Sequence, residues 1–260
     1  MHPVLIEIGF LKIYSYGFML ALSFFAGILL AAARARRRGV SSHLIYDLSI
    51  VLIIGAVVGS RGLYIITHLD NYNGILDMFA LWEGGAVYYG GLILAVAGAL
   101  IYLRIKKTSF LKVADIISPS IGIGIFFTRI GCFLSGCCFG HPTTCSAGVV
   151  FPHHSPAGYQ YPDIHIHPTQ LYSSAYGLII FILLILVEKI KLAEGSLFGF
   201  MFVFYGIARF FIDYFRYYEE SAMVGPFTFN QLISIGLVAA GAGFIIAVNS
   251  RNKKRVESYN

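Results

Sequence analysis

Residues 128–140 read Thr-Arg-Ile-Gly-Cys-Phe-Leu-Ser-Gly-Cys-Cys-Phe-Gly and lie where a long apolar segment meets a long polar loop. The stretch contains one arginine, three glycines and three of the four cysteines of the chain. An arginine at the end of an apolar helix is costly unless it faces protein, water or an anion, so Arg129 is a candidate functional residue. The glycines allow close approach of a backbone or ligand, and the thiols are candidate nucleophiles, metal ligands or disulfide partners.

The composition around this stretch is that of a membrane protein. Of 260 residues, 57% are hydrophobic and 12% are charged, whereas soluble chains carry about 25% charged residues. Apolar runs long enough to cross a bilayer, which takes about 20 residues, recur at 13–33, 45–66, 86–103, 113–134, 170–190, 196–215 and 230–249. No soluble domain is left between them. We therefore predict an all-α polytopic membrane protein, a single domain over residues 1–260 with seven transmembrane helices and an outer loop at 135–169.

The basic residues predict the orientation of these helices. Clusters of Lys and Arg follow the first, third, fifth and seventh segments, at residues 34–38, 104–112, 189–191 and 251–255. Because such clusters stay on the cytoplasmic side, the N-terminus is predicted outside and the C-terminus in the cytoplasm. Basic loops facing anionic lipid heads account for the net charge of +6, so no nucleic-acid partner is expected.

Five cations remain, and with this topology all lie at or near the outer ends of their segments: Lys12, Arg61, Arg129, Arg209 and Arg216. Four of them are arginines from three different helices, which we expect to meet at one membrane face. Arginine holds phosphate or carboxylate through two hydrogen bonds while staying charged. A substrate anion is the favoured explanation for Arg129 and Arg209. For Arg61 and Arg216, contact with lipid phosphates is an open alternative.

The sixth apolar segment contains an acidic residue, Asp213, that can pair with Arg209. Asp213 follows Arg209 by four residues, so the two side chains lie on one helix face, with Arg216 nearby. We expect this face to point into the helix bundle. An ion pair that only holds helices together is the alternative.

The outer loop raises the question of a metal. It contains five of the eight histidines, together with Cys137, Cys138 and Cys145. However, the cysteine spacing from Cys132 onward matches no zinc pattern, and adjacent thiols are not expected to ligate one ion together, so no metal is predicted. A disulfide from Cys145 to another cysteine is the alternative, because disulfides are permitted outside the cytoplasm. Cys137 and Cys138 would pair with each other only under strain.

Six short motifs, spread along nearly the whole chain, resemble those of the prolipoprotein diacylglyceryl transferase family. They are Tyr16-Gly17, Gly59-x-Arg61, Trp82-Glu83-Gly84-Gly85 with Gly90-Gly91-Leu92-Ile93, Arg129-x-Gly131-x-Phe133 with Gly136 and Gly140, His167-Pro168-x-Gln170-Leu171-Tyr172, and Tyr205-Gly206-x-x-Arg209-x-x-x-Asp213-x-x-Arg216. In that family the enzyme moves a diacylglyceryl group from phosphatidylglycerol to the lipobox cysteine of a prolipoprotein and releases glycerol phosphate. The resemblance implies a multi-pass protein of the bacterial inner membrane with its active site towards the outer face.

The resemblance also implies roles for individual residues. Arg129 and Arg209 would bind the phosphate, Asp213 would orient Arg209, and Tyr16 would lie near the lipid headgroup. The other positions implied in substrate binding are Arg61, Gly90, Gly91, Cys132, Gly140, His167 and Arg216. No cofactor is expected. The implied partners are phosphatidylglycerol, a prolipoprotein or another acceptor, and membrane lipids.

The chain departs from the family pattern at several positions. Tyr89 stands where the family usually has the histidine of His-Gly-Gly, and Cys132, Ser135 and Cys137 stand where its signature has Asn, Asn and Glu. The acidic residue of the sixth segment is Asp213 instead of Glu. Loss of activity is one explanation of these departures, and a changed reaction is the one we favour. In it, Cys137 is hypothesised to be a nucleophile that carries the diacylglyceryl or acyl group transiently. Tyr89 would act as a weak acid or hydrogen-bond donor.

Three functions follow from these observations. The first is a transferase that uses phosphatidylglycerol, with a prolipoprotein cysteine or a related acceptor. The second is a non-enzymatic phospholipid or anion carrier, and the third is a thiol redox or metal-handling protein of the outer face. Release of glycerol phosphate separates the first from the second. Bound metal or a redox-linked thiol titration would identify the third.

Overall fold

The computed structural model describes residues 3–8, 11–69, 85, 87–190 and 192–257. The helices are α1 (Ser15–Arg37), α2 (Ser42–Thr67), α3 (Tyr88–Ile105), α4 (Phe110–Ser135), α5 (Pro156–Gln160), α6 (Thr169–Val187), α7 (Ser196–Ile212) and α8 (Phe229–Glu257). Two antiparallel hairpins are formed by β1 (Val4–Ile8) with β2 (Leu11–Tyr14) and by β3 (Met223–Val224) with β4 (Phe227–Thr228). The motif residues Trp82, Glu83 and Gly84 lie outside the described residues.

The long helices are those of a multi-pass membrane protein. Within the described ranges, six helices are long and apolar enough to cross a membrane, namely α1, α2, α3, α4, α6 and α8. Helix α7 is also apolar but has 17 residues. Each of the seven apolar segments in the sequence therefore corresponds to one of these helices. A count of seven crossing helices and the orientation of the termini stay predictions.

The chain divides into two compact units, residues 1–31 with 114–260 and residues 32–113. In the second unit, α2 and α3 pack through small residues. A Cβ added to Gly59 would lie 2.3 Å from the carbonyl oxygen of Gly90, and one added to Gly55 would lie 2.8 Å from the Cα of Ala95. Glycine at these positions therefore lets the two helix backbones touch.

In the first unit, two further pairs of helices pack closely at glycines. Helices α4 and α6 cross where a Cβ added to Gly122 would lie 2.8 Å from the carbonyl oxygen of Gly177. Helices α7 and α8 meet where a Cβ on Gly241 would lie 2.8 Å from the carbonyl oxygen of Gly199. Helix α1 joins α4 through the Ser23 hydroxyl, which donates to a carbonyl of α4 at 3.0 Å. Helix α7 also packs on α6, through a buried cluster that includes Leu184 and Met201, so α1, α4, α6 and α7 pack in succession.

The segment between α4 and α6 is folded around a core of its own. Phe151, Ala157 and Ile166 are buried there. Isolated antiparallel bridges join Ile166 to Pro142 and to Val149. The predicted outer loop is therefore a packed cap that contains α5, and it holds its ends in fixed positions beside α4 and α6.

Candidate active site at the end of α4

Helix α4 ends in a turn that only glycine can make. Gly136 has a φ of +71°, and the N–H groups of Gly136 and Cys137 donate to the carbonyls of Phe133 and Cys132, each at 3.2 Å. This pair of hydrogen bonds is a Schellman motif with glycine at its left-handed position. A Cβ added to Gly136 would also lie 2.6 Å from the Cβ of Ser155. The turn fixes where the cysteine segment leaves the helix.

Three cysteine thiols converge beside this turn. The Sγ atoms of Cys132, Cys137 and Cys138 all lie within 4.8 Å of one another. Cys138 has a φ of +59°, a left-handed conformation that is uncommon for residues with a side chain and that turns its thiol to the same side as that of Cys137. The adjacent thiols of Cys137 and Cys138 therefore lie close enough to face one ion, an arrangement that was not expected from the sequence. All four cysteines are free, and Cys145 is exposed outside the cluster, so the alternative of a Cys145 disulfide is not seen.

The start of α6 holds the cysteine segment from one side. The Gln170 amide donates to the carbonyl oxygen of Cys137 at 2.7 Å, and the Thr169 hydroxyl donates to that of Cys138 at 2.8 Å. Both donor side chains are fully buried. The motif at 167–172 therefore positions the thiols through their backbone.

The segment after α7 holds the cysteine segment from the other side. The N–H of Gly140 donates to the carbonyl of His167 at 3.1 Å, and Gly140 forms an antiparallel bridge with Arg216. A Cβ on Gly140 would lie 2.5 Å from the carbonyl oxygen of Phe215, so the close approach requires glycine. The result is that Arg216 lies beside the thiols.

His167 takes part in packing at this junction. Its Nδ1 lies 3.3 Å from the Tyr172 hydroxyl, and its ring centroid lies 5.2 Å from that of Phe215. A role for His167 in substrate binding stays a prediction.

Arg209 and Asp213 form the ion pair that their spacing predicted. The distance between Arg209 Nη1 and Asp213 Oδ1 is 3.0 Å, and the two side chains are 9% and 0% exposed. The Tyr218 hydroxyl accepts a hydrogen bond from Arg209 and donates one to Asp213 Oδ1 at 2.9 Å. The Thr228 hydroxyl donates to Asp213 Oδ2 at 2.9 Å. Asp213 and Tyr218 thus hold the guanidinium, and Thr228 in turn holds the Asp213 carboxylate.

The residues that support this ion pair were not identified from the sequence. They are Tyr218, Thr228 and Gln231, which itself holds Thr228. Thr228 and Gln231 form a capping box at the start of α8, because the Thr228 N–H donates to Gln231 Oε1 at 2.9 Å and the Gln231 N–H donates to Thr228 Oγ1 at 3.0 Å. The Thr-x-x-Gln pattern could have revealed this helix start. Nothing in the local sequence marks Tyr218, because its partners lie on other segments.

Among the residues that the structure describes, Arg129 and Arg216 differ from Arg209 in having no acidic partner. Within the described ranges, neither forms an ion pair with a carboxylate. The Arg216 guanidinium lies 5.2 Å from the centroid of the Tyr218 ring, and its Nε is buried without a hydrogen-bond partner among the described residues. The charge of Arg129 acts on the thiols of Cys132 and Cys138. Two such guanidiniums are suited to hold an anionic group.

Groups around the cluster shift the pKa values of two of its thiols in opposite directions. Side-chain hydrogen bonds with Cys132 and Cys137, and then the charges of Arg216 and Arg129, hold the pKa of the Cys138 thiol below its ordinary value. Hydrogen bonds with Cys132 and Cys138 raise the pKa of the Cys137 thiol, and burial raises it further. The charges of Arg216 and Arg129 therefore add to the hydrogen bonds that lower the pKa of the Cys138 thiol. The role of Cys137 as a nucleophile stays a prediction.

Tyr16 lies at the same place, on the first turn of α1. Its Cα would be 3.3 Å from a Cβ added to Gly131, and it interacts electrostatically with the three clustered thiols and with Arg129. The residues that the first unit brings together are thus Tyr16, Arg129, Cys132, Cys137, Cys138, Gly140, His167, Arg209, Asp213 and Arg216.

The remaining predicted residues belong to the second unit. Arg61 is buried at the end of α2, where its Nη1 donates to the Gly85 carbonyl at 3.3 Å. Tyr89 is 59% exposed on the first turn of α3. The N–H groups of Gly90 and Gly91 donate to the Val87 carbonyl at 3.1 and 3.4 Å. The two glycines pack against α2, and their role in substrate binding stays a prediction.

Known proteins are similar to this chain over nearly its whole length. A family model described as prolipoprotein diacylglyceryl transferase matches residues 3–247. A Clostridium tetani protein named phosphatidylglycerol–prolipoprotein diacylglyceryl transferase is 34% identical over 241 residues, 93% of this chain and 95% of that protein. A Listeria welshimeri protein of the same name is 34% identical over 247 residues, 94% of this chain and 88% of that protein. Clostridium perfringens phosphatidylglycerol–prolipoprotein diacylglyceryl transferase 2 is 33% identical over 244 residues, 93% of each chain. This chain belongs to the prolipoprotein diacylglyceryl transferase family.

Proposed function

We propose that this protein transfers the diacylglyceryl group of phosphatidylglycerol to the cysteine thiol of a prolipoprotein and releases glycerol phosphate. The names of its relatives support this reaction. The structural observation that carries the proposal is the pair Arg129 and Arg216, which have no carboxylate partner among the described residues. Arg209, held by Asp213, adds a third guanidinium to the same unit.

The chemistry explains why such a site needs arginines. The acceptor thiol gives up its proton, and its sulfur attacks the lipid carbon that bears the phosphate oxygen. A carbon–sulfur bond forms, the carbon–oxygen bond breaks, and glycerol phosphate leaves with one more negative charge than the phosphodiester had. Guanidiniums already in place stabilise this developing charge more than they stabilise the ground state.

The residues have distinct roles in this proposal. Arg129 and Arg216 bind the phosphate group, and Asp213 keeps Arg209 charged and oriented. Tyr16 lies near the headgroup. Tyr89 serves as a hydrogen-bond donor, and a Tyr89→Phe protein as active as the parent would exclude that role.

We place the reaction in the bacterial cytoplasmic membrane, with the site towards the outer face. The placement rests on the clusters of Lys and Arg after alternate apolar segments. It implies that α7 crosses the membrane together with the six longer helices, with the N-terminus outside.

The test is headgroup-labelled phosphatidylglycerol given to the purified protein with a lipobox peptide. A matched peptide with serine in place of the acceptor cysteine is the control. Label released as glycerol phosphate only with the cysteine peptide, together with a peptide mass increased by one diacylglyceryl group, is the expected result. Release with no peptide at all would indicate a different acceptor. No release in any arm, with phosphatidylglycerol still bound, would favour a carrier instead.

A further inference from the structure

The three clustered thiols form a donor set that the proposed reaction does not use. Within the described ranges, Cys132, Cys137 and Cys138 are the one group of three or more His, Cys, Asp or Glu side chains whose donor atoms converge on a single point. The histidines of the outer cap lie elsewhere. His153 pairs with Asp163 at 3.1 Å, for example. The donors that converge are therefore all sulfur.

We propose that Cys132, Cys137 and Cys138 bind one zinc-class metal ion. Thiolate ligands select soft or borderline ions such as Zn²⁺ over Mg²⁺ and Ca²⁺, which prefer oxygen. Three sulfurs bound tetrahedrally at about 2.3 Å from a zinc ion would lie about 3.8 Å apart. The sulfurs here lie within 4.8 Å of one another, so small side-chain shifts bring them to that distance.

The backbone holds these ligands in place without an ion. Cys132 lies on the last turns of α4, and the Schellman turn at Gly136 fixes the direction in which the chain continues. Gln170 and Thr169 hold the carbonyls of Cys137 and Cys138. Ligands fixed by such outer contacts lose less freedom when an ion binds, and these contacts commonly govern metal affinity.

The surrounding charge suits the bound state. Three thiolates and one divalent cation have a net charge of −1. The charges of Arg129 and Arg216 both act on Cys138, and neither is neutralised by a carboxylate within the described part of the chain. The arginines therefore offset the negative charge of the metal–thiolate group while they remain available to a phosphate.

The number of ligands gives the site a role in the reaction, and this step rests on the proposed function. Three protein ligands leave a fourth tetrahedral position open, as in catalytic zinc sites. The acceptor thiol fills it and loses its proton to water on binding the ion. The bound sulfur then attacks the lipid carbon, the carbon–oxygen bond breaks, and glycerol phosphate leaves, with no change in the oxidation state of the metal. The acceptor becomes a thiolate without a general base.

Metal binding is tested first on the protein without substrate. The protein is stripped with a chelator, kept reduced with a phosphine and titrated with Zn²⁺ or Cd²⁺. Bound metal is measured by elemental analysis, and Cd²⁺ is also followed by its thiolate charge-transfer absorption. We expect one ion per chain in the parent and in Cys145→Ser, whose thiol is exposed and outside the cluster. Cys132→Ser, Cys137→Ser and Cys138→Ser should each bind the ion about tenfold more weakly or worse.

A second measurement needs no variant and so does not depend on variant folding. The parent is alkylated with iodoacetamide with and without Zn²⁺, and each cysteine is followed by mass spectrometry. Zn²⁺ should protect the three clustered thiols and leave Cys145 unchanged. Equal protection of all four thiols, no protection of the cluster, or a disulfide within the cluster under these conditions would overturn the site.

Turnover separates this inference from the proposed function. Peptide-dependent release of glycerol phosphate that falls when the protein is stripped and returns with Zn²⁺ supports the role of the ion. Equal release by stripped and loaded protein overturns that role and leaves the transferase reaction intact. Metal binding at the cluster without release in any arm supports the site and refutes the reaction.

Discussion

Arg209 and Asp213 form a buried ion pair in which Nη1 lies 3.0 Å from Oδ1, at the end of α7. Tyr218 and Thr228 occupy further hydrogen-bonding positions around the carboxylate. Removing two charges from water is expensive, and the cost is offset only when the partners satisfy each other's remaining hydrogen bonds. Here Tyr218 and Thr228, from the connection between α7 and α8, satisfy both carboxylate oxygens and Arg209 Nη2, while Arg209 Nη1 has only the ion pair among the described residues. The pair therefore has two effects. It fixes a charge that is suited to substrate binding, and it links the end of α7 to the segment that leads into α8.

Breaking this pair should destabilise the protein. Asp213→Ala leaves the Arg209 charge buried without its counter-ion, so we expect the free energy of unfolding to fall by about 3–5 kcal/mol. Denaturant titration in a mild detergent measures the change. Asp163→Ala is the matched control, because it breaks the exposed pair with His153 and should have little effect. Similar losses in the two variants would contradict this account of the buried pair.

The charge and the shape of the Arg129 side chain should both be needed for activity. Arg129→Gln removes a guanidinium from the proposed phosphate site and is expected to lower glycerol phosphate release by about 10²–10³-fold. Arg129→Lys keeps the charge but loses the two-bond geometry, so it should retain part of the activity. Lys12→Gln, which removes an exposed cation paired with Glu7 at 2.8 Å, is the control for net charge. An Arg129→Gln protein with the activity of the Lys12→Gln control would refute the phosphate-binding role.

The glycine that ends α4 should not tolerate a side chain. Gly136→Ala forces alanine into a left-handed conformation, which costs about 1–2 kcal/mol, and adds a contact of 2.6 Å with Ser155. Gly225→Ala is the matched control, because Gly225 has a φ of +61° and a Cβ there meets no described atom within 4 Å. We expect Gly136→Ala to lower the midpoint of thermal unfolding more than Gly225→Ala does. Equal shifts would mean that the contact with Ser155 is relieved without cost.

The stability of the packing between α2 and α3 should depend on Gly59 but not on Gly62, one helical turn further along. A Cβ on Gly59 would lie 2.3 Å from the Gly90 carbonyl oxygen, whereas one on Gly62 meets no described atom within 4 Å. Gly59→Ala should therefore cost about 1–3 kcal/mol through overpacking. Gly62→Ala should be neutral or stabilising, since alanine favours a helix by about 1 kcal/mol over glycine. Thermal unfolding of the two variants decides the matter, and a loss of the same size in both would argue against helix contact as its cause.

Several features could be predicted from the sequence because they depend on local composition and periodicity. The thickness of a bilayer sets the length of an apolar segment, so the positions of the seven apolar helices followed from hydropathy. The ion pair of Arg209 with Asp213 followed from the four-residue repeat of a helix face. The six motifs, taken together and in their order along the chain, were sufficient to recognise the family. The capping box at Thr228 was also readable, although its hydrogen bond to Asp213 was not.

The sequence by itself determined where the seven apolar helices lie, which family the chain belongs to and that Arg209 pairs with Asp213. Only the tertiary structure decided how the cysteines are arranged. From the sequence, adjacent thiols were not expected to ligate one ion together, but the turn at Gly136 and the left-handed backbone of Cys138 bring both thiols to Cys132. The position of Arg216 beside Cys138 likewise depends on the bridge between Gly140 and a segment more than seventy residues further along. Such contacts are set by packing between distant elements, which no local pattern of residues specifies.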